Sequence, residues 1–128
     1  MSDEKQVAGT IAWADLTVEN AEDVRDFYTR VVGWGSEGVD MGGYSDFCMT
    51  SPEGGPPVAG ICHARKGNAG LPAVWLMYVT VTDIDTSVAA CEELGGRLLS
   101  PIRSYGEGAR YCVIEDPAGA ALALFQKG

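Results

Sequence analysis

The chain has 128 residues, enough for one compact domain with a sizeable core and too few for two ordinary independent ones. Lys and Arg total 9 against 18 Asp and Glu, a formal net charge of −9, and the basic residues are scattered rather than striped. That balance argues against nucleic acid and anionic membranes as partners. The start, MSDEKQVAGT, lacks the basic end and apolar run of a leader, and no apolar stretch is long enough to span a bilayer, so a cytoplasmic protein is expected. Cys48, Cys62, Cys91 and Cys112 form no C-x-x-C pair and sit in apolar runs, which reads as reduced, buried thiols.

In chain order, the run Thr10 to Val18 reads as a strand and leads through Glu19-Asn20 into a helical pattern with Val24, Phe27, Tyr28, Val31 and Val32. Asn20 is the expected N-cap and Gly33 the stop. Strands are predicted at 36–40, 44–50 and 58–63, separated by turn chemistry at Met41-Gly-Gly and Ser51 to Pro57. After a linker at 66–72 the pattern begins again. Trp75 to Thr82 reads as a strand, Asp83 as a cap, and Val88, Cys91 and Leu94 mark a helix stopped by Gly95-Gly96. Strands then follow at 97–100, 109–115 and 121–126.

The spacing supports a duplication. The caps Asn20 and Asp83 lie 63 residues apart, the stops Gly33 and Gly96 also 63, and the pairs Phe47-Cys48 and Tyr111-Cys112 lie 64 apart. Two copies at this period indicate a doubled module rather than an array. The chain is therefore read as a single domain, 1–128, of two tandem βαβββ modules at about 8–65 and 73–127.

Paired modules of this kind resemble the vicinal oxygen chelate superfamily, which includes glyoxalase I, bleomycin-resistance proteins and extradiol dioxygenases. Residues carrying the resemblance are Asn20 through Phe27-Tyr28 to Val31-Val32-Gly33-Trp34, then Val81-Thr82-Asp83, Leu94-Gly95-Gly96 and Glu115-Asp116-Pro117-Ala118-Gly119. The resemblance implies an α+β fold in which a curved, cup-like mixed sheet carries its helices on the outside. It also implies, in metal-using members, one ligand on the first and one on the last strand of each module. Carried over from the caps and the Asp-Pro turn, those positions are Trp13, Gly60, Leu76 and Ala123. None offers a lone pair to a metal, so neither a metal ligand nor a cofactor is expected.

Strand alternation groups Trp13, Asp15 and Thr17, then Cys62, then Leu76, Tyr78 and Thr80, then Ala123 and Phe125 on the inner face. The opposite face, with Leu16, Val18, Met77, Val79, Val81, Leu122 and Leu124, is apolar enough to pack on the helices. The expected ligand-binding residues are Trp13, Asp15, Cys62, Leu76, Tyr78, Ala123 and Phe125. An apolar, aromatic surface with a few polar groups suits a small-molecule ligand.

The leading expectation is metal-free binding of a small apolar or aromatic molecule, as in the antibiotic-binding members that the resemblance brings in. The alternative is a lyase, isomerase or dioxygenase type of enzyme, with Asp15 or Tyr78 moving a proton or a divalent metal ion relocated to Asp15, Cys62 and a partner chain. A homodimer is expected. His63, the one histidine, alternates away from Cys62 and is expected at the surface or an interface, while Arg110 is read as a solvated arginine.

Overall fold

The computed structural model describes residues 7–65 and 68–128. Most of the N-terminal segment read above for a leader, and Lys66-Gly67 of the expected linker, lie outside the described residues. The elements are β1 (Ile11–Val18), α1 (Ala21–Val32), β2 (Gly35–Asp40), β3 (Ser45–Thr50), β4 (Pro57–His63), β5 (Trp75–Thr80), α2 (Ile84–Glu93), β6 (Arg97–Tyr105), β7 (Ala109–Glu115) and β8 (Ala121–Gln126). Class and order match the duplicated βαβββ expectation, a mixed α+β fold.

Two compact units divide the chain. One is Ala14–Trp75, and the other is Leu76–Gly128 with the described residues up to Trp13. The N-terminal stretch joins the second of these units through β5: Gly9 N donates to Thr80 O at 2.7 Å and Thr80 N donates to Thr10 O at 2.9 Å.

Within the first unit β2 pairs antiparallel with β3, β3 antiparallel with β4, and β4 parallel with β1. The second unit repeats this wiring, β6 with β7 and β7 with β8 antiparallel, β8 with β5 parallel. In each, the parallel pair is the one that needs a crossover, and α1 or α2 begins it.

Both helices stop and start for local reasons, though not identically. The Asp83 carboxylate accepts from Asp85 N at 3.1 Å and Thr86 N at 3.3 Å, satisfying two of the first-turn donors. Asn20, expected to do the same, makes no side-chain cap bond. Gly33 ends α1 at φ 89°, the left-handed turn that a residue with a Cβ resists.

Packing divides the helical pattern of α1. Ala21, Val24 and Tyr28 sit on Phe47, Met49 and Ile61, with Trp34 and Trp75 beside them. Phe27, Val31 and Val32 are 56%, 63% and 48% exposed, so three residues of the helical pattern lie away from this packing. In the second unit Ile84 and Val88 of α2 pack on Cys112 and Leu124, with Val81, Leu98, Ile102, Ile114 and Leu122 around them. Met77, read as core, is 45% exposed. Among the described residues no helix is long and apolar enough to cross a membrane.

Candidate functional site

Directly opposed residues in a ladder share a face, so the register fixes which side chains stand together on the side away from each helix. In the first unit Asp15 is opposite Gly60, and Gly60 opposite Cys48. Thr17 is opposite Cys62, and Cys48 opposite Glu37. This face gathers carboxylates and thiols. Two expected residues, Asp15 and Cys62, are brought onto it, both half-buried.

The charges there act on the thiols. Burial pushes the Cys62 thiol far above its ordinary value, and the negative charges of Asp15 and then Asp46 push it further. Cys48 is raised by burial and by Asp15 and Glu37. Raised thiols stay protonated at neutral pH, which makes them poor nucleophiles and poor metal ligands. Among the described residues no group of three or more His, Cys, Asp and Glu side chains is arranged to hold a metal ion.

His63, expected at the surface or an interface, is mostly but not fully buried within its unit. Its side chain is 13% exposed, its Nδ1 lies 3.3 Å from Asp46 Oδ1, and its backbone N donates to the same oxygen at 2.8 Å. Tyr44 and Phe47 flank the ring at centroid distances of 5.4 and 6.0 Å. Asp46, absent from the sequence expectations, therefore holds the end of β4 as well as the imidazole.

In the second unit Tyr78 is opposite Ala123 and Ala123 opposite Val113. Thr80 is opposite Phe125, Phe125 opposite Tyr111, and Tyr111 opposite Arg103. Four aromatic rings meet on this face: Tyr78 to Tyr111 at 6.4 Å between centroids, Tyr105 to Tyr111 at 6.1 Å, and Tyr105 to Phe125 at 6.2 Å. The last two contacts are edge-on, a favoured arrangement for aromatic pairs. Leu76 and Ala123, expected as surface of the ligand wall, have 0% exposure. Exposed Tyr105, with half-buried Tyr78, Tyr111 and Phe125, carries the accessible part of the face instead.

Trp13 lies on β1, half-buried. Of the four positions at which the sequence resemblance would seat metal ligands, three carry hydrocarbon or indole side chains and one is a buried glycine. That donor set does not fit a divalent ion. Arg110, read as solvated, is instead committed to the helix side, where its Nη2 donates to Asp85 Oδ2 at 2.9 Å and to Gln126 Oε1 at 3.3 Å. A separate groove of about 470 Å³ lies at the far end of β5, between Ala8-Gly9 and Asp83, Thr86 and Ser87.

Tyr111 was legible in advance: Cys112 reads as buried, so its strand neighbour must face the other way. Arg103 and Tyr105 were not, because the expected strand stopped at Ser100, before Pro101.

Over residues 10–124 the chain matches the family model described as Glyoxalase/Bleomycin resistance protein/Dioxygenase superfamily. Among curated relatives, "Putative glyoxylase CFP32" of Mycobacterium bovis is 32% identical over 119 residues, covering 92% of this chain and 46% of its own length. "Anthracycline biosynthesis protein DnrV" of Streptomyces peucetius is 33% identical over 136 residues, covering 94% and 48%. The chain thus spans about half the length of the curated relatives it matches. Among solved structures, a Streptomyces coelicolor methylmalonyl-CoA epimerase in complex with 2-nitronate-propionyl-CoA is similar at a TM-score of 0.58, with 94% of this chain and 96% of that one covered. Its identity is 14%, a likeness of fold alone.

Proposed function

The chain belongs to the Glyoxalase/Bleomycin resistance protein/Dioxygenase superfamily, and we propose that within it this domain binds a small apolar or aromatic molecule without a metal. One observation carries the reading: Tyr78, Tyr105, Tyr111 and Phe125 stand together on one sheet face, away from the helix that would otherwise bury them. Large, rigid rings offer contact area at low entropic cost, which is the usual makeup of a surface that recognises planar apolar ligands. The donor set at Trp13, Gly60, Leu76 and Ala123 supports the metal-free half of the proposal. A relative named for anthracycline biosynthesis is compatible with a polycyclic aromatic ligand. Sequestration needs affinity alone, so it tolerates loss of every metal donor.

The test is calorimetric titration with 9,10-anthraquinone-2-methanol as a planar probe, with and without EDTA. Expected are saturable binding unaffected by the chelator and a loss of about tenfold or more in affinity for Tyr111→Ala, the usual worth of a buried aromatic anchor. Binding that requires a divalent ion, or that ignores Tyr111→Ala, would remove the proposal.

A further inference from the structure

The outermost strand of a sheet leaves one row of backbone N–H and C=O groups without a ladder partner, and folded proteins usually disable such rows. In β6 the row is disabled. The strand pairs only with β7, and its register shifts between Leu98 and Ser100 and again between Ser100 and Arg103, two extra residues around Ser100. Pro101, beside them, has no N–H to give.

The strand β2 carries no such device. It pairs only with β3, in an unbroken register from Gly35 opposite Thr50 to Asp40 opposite Ser45, and it contains no proline. Among the described residues its backbone makes no bond outside that ladder. Ser36 to Asp40 are all exposed, so the outer row stands open to solvent.

The side chains say what can lie there. Alternation sends Ser36, Gly38 and Asp40 to one face and Glu37 and Val39 to the other, so each face presents one carboxylate. Asp40 Oδ1 accepts from Gly42 N at 2.9 Å, and its other oxygen has no partner among the described residues. A second copy of β2 would bring its own Glu37 and Asp40 to the same edge, between chains of net charge −9 each. That disfavours self-pairing and favours a basic partner.

We infer that β2 is a docking edge for a basic, extended segment of another protein, which adds as an antiparallel strand with one Lys or Arg opposite Glu37 and another opposite Asp40. In strand addition the main-chain bonds supply affinity, and alternate side chains supply specificity. Opposite charges directly across a strand pair stabilise it, and β-branched residues suit the positions opposite Gly38 and Val39. The inference does not depend on the aromatic-ligand reading, since β2 and β3 belong to the other unit.

The probe is the peptide Ac-Thr-Lys-Val-Thr-Lys-Thr-NH2, whose antiparallel register sets its lysines opposite Asp40 and Glu37 and its valine opposite Val39. Amide NMR should show saturable shifts centred on Ser36 to Asp40, with hydrogen exchange there slowed about fivefold or more at saturation. Affinity should fall about fivefold or more when glutamates replace both lysines, and likewise in the double variant Glu37→Gln, Asp40→Asn, which keeps the Oδ1 acceptor for Gly42. Strand pairing has its own signature, because alternate residues turn their N–H groups to the same edge. Of two peptides N-methylated on alternate residues, one should lose binding and the other keep it. Equal behaviour of the two overturns strand addition, and indifference to charge reversal overturns the basic partner. No binding of the parent peptide overturns both. Protection of β2 that rises with protein concentration, without peptide, assigns the edge to a second copy and overturns the inference as well.

Discussion

Trp75 Nε1 donates a hydrogen bond to the phenolic oxygen of Tyr28 at 3.1 Å, joining the start of β5 to the middle of α1 across 47 residues of sequence. The two rings meet edge-on at 5.3 Å between centroids, and Trp34 completes the group at 5.9 Å from each. Trp75→Phe keeps most of the ring and removes the donor, so it should cost about 1 kcal/mol in urea unfolding. Tyr28→Ala should cost about 3 kcal/mol by emptying the centre of the group. Its neighbour Phe27, on the outer side of the helix, should cost less than about 1 kcal/mol as Phe27→Ala. Equal costs at 27 and 28 would show the helix to be rotated from the orientation described.

Gly96 tests a close approach. A Cβ there would lie 2.6 Å from both Cys91 Sγ and the backbone oxygen of Glu115. The backbone cannot yield as a flexible side chain would, so Gly96→Ala should destabilise by about 1–3 kcal/mol. Gly70, with nothing within 4 Å of its would-be Cβ, is the control, and Gly70→Ala should stay within about 0.5 kcal/mol. A neutral Gly96→Ala would sink the claimed contact.

The cap of α2 predicts an acid-dependent stability. Bonds from the Thr86 backbone, the Thr86 side chain and the Asp85 backbone hold the Asp83 carboxyl below the usual aspartate range in the folded chain. A depressed folded pKa contributes stability that is present above the unfolded value, about pH 4, and is lost as pH falls through the folded one. The urea midpoints of the unmodified protein and Asp83→Ala should therefore differ at pH 7 and converge as the pH is taken below about 4. A gap that stays constant down to pH 2 would mean that the charge is not what caps the helix.

Thiol reactivity checks the electrostatics of both units. Burial, with Cys91 second, pushes Cys112 up to about 11. At pH 8 its thiolate fraction is then on the order of one in a thousand, and iodoacetamide should label Cys112 and Cys62 only after unfolding, as read by peptide mass mapping. Since Asp15 is the larger of the charges raising Cys62, Asp15→Asn should speed labelling of Cys62 in the folded protein. Unchanged labelling would separate Asp15 from that thiol.

Asp15→Asn also distinguishes binding from proton transfer. Under the proposed function, affinity for the aromatic probes should stay within about tenfold, roughly 1.4 kcal/mol. A positioned base is worth about 10² to 10⁴ in rate, so a turnover activity that falls by that factor while binding survives would replace the binding reading with an enzymatic one.

Features set by neighbours in the chain were readable from the amino-acid order alone. The Asp83 cap bonds reach only two and three residues ahead, Gly33 turns the chain where it stands, and the repeat spacing of 63 carries the duplicated order of strands and helices. That Trp13, Gly60, Leu76 and Ala123 carry no donor atoms in their side chains was equally legible, because side-chain composition does not depend on surroundings. Packing and register depend on partners far along the chain, and only the tertiary structure decided those. Phe27 and Tyr28 look alike in a helical pattern, yet only Tyr28 meets Trp34 and Trp75. His63 is enclosed because Asp46, 17 residues earlier, lies within reach of both its backbone and its ring. Arg103 stands opposite Tyr111 because two extra residues around Ser100 slide one strand along the other. Alternation predicts a face only while a ladder is regular, and Pro101 ends that regularity.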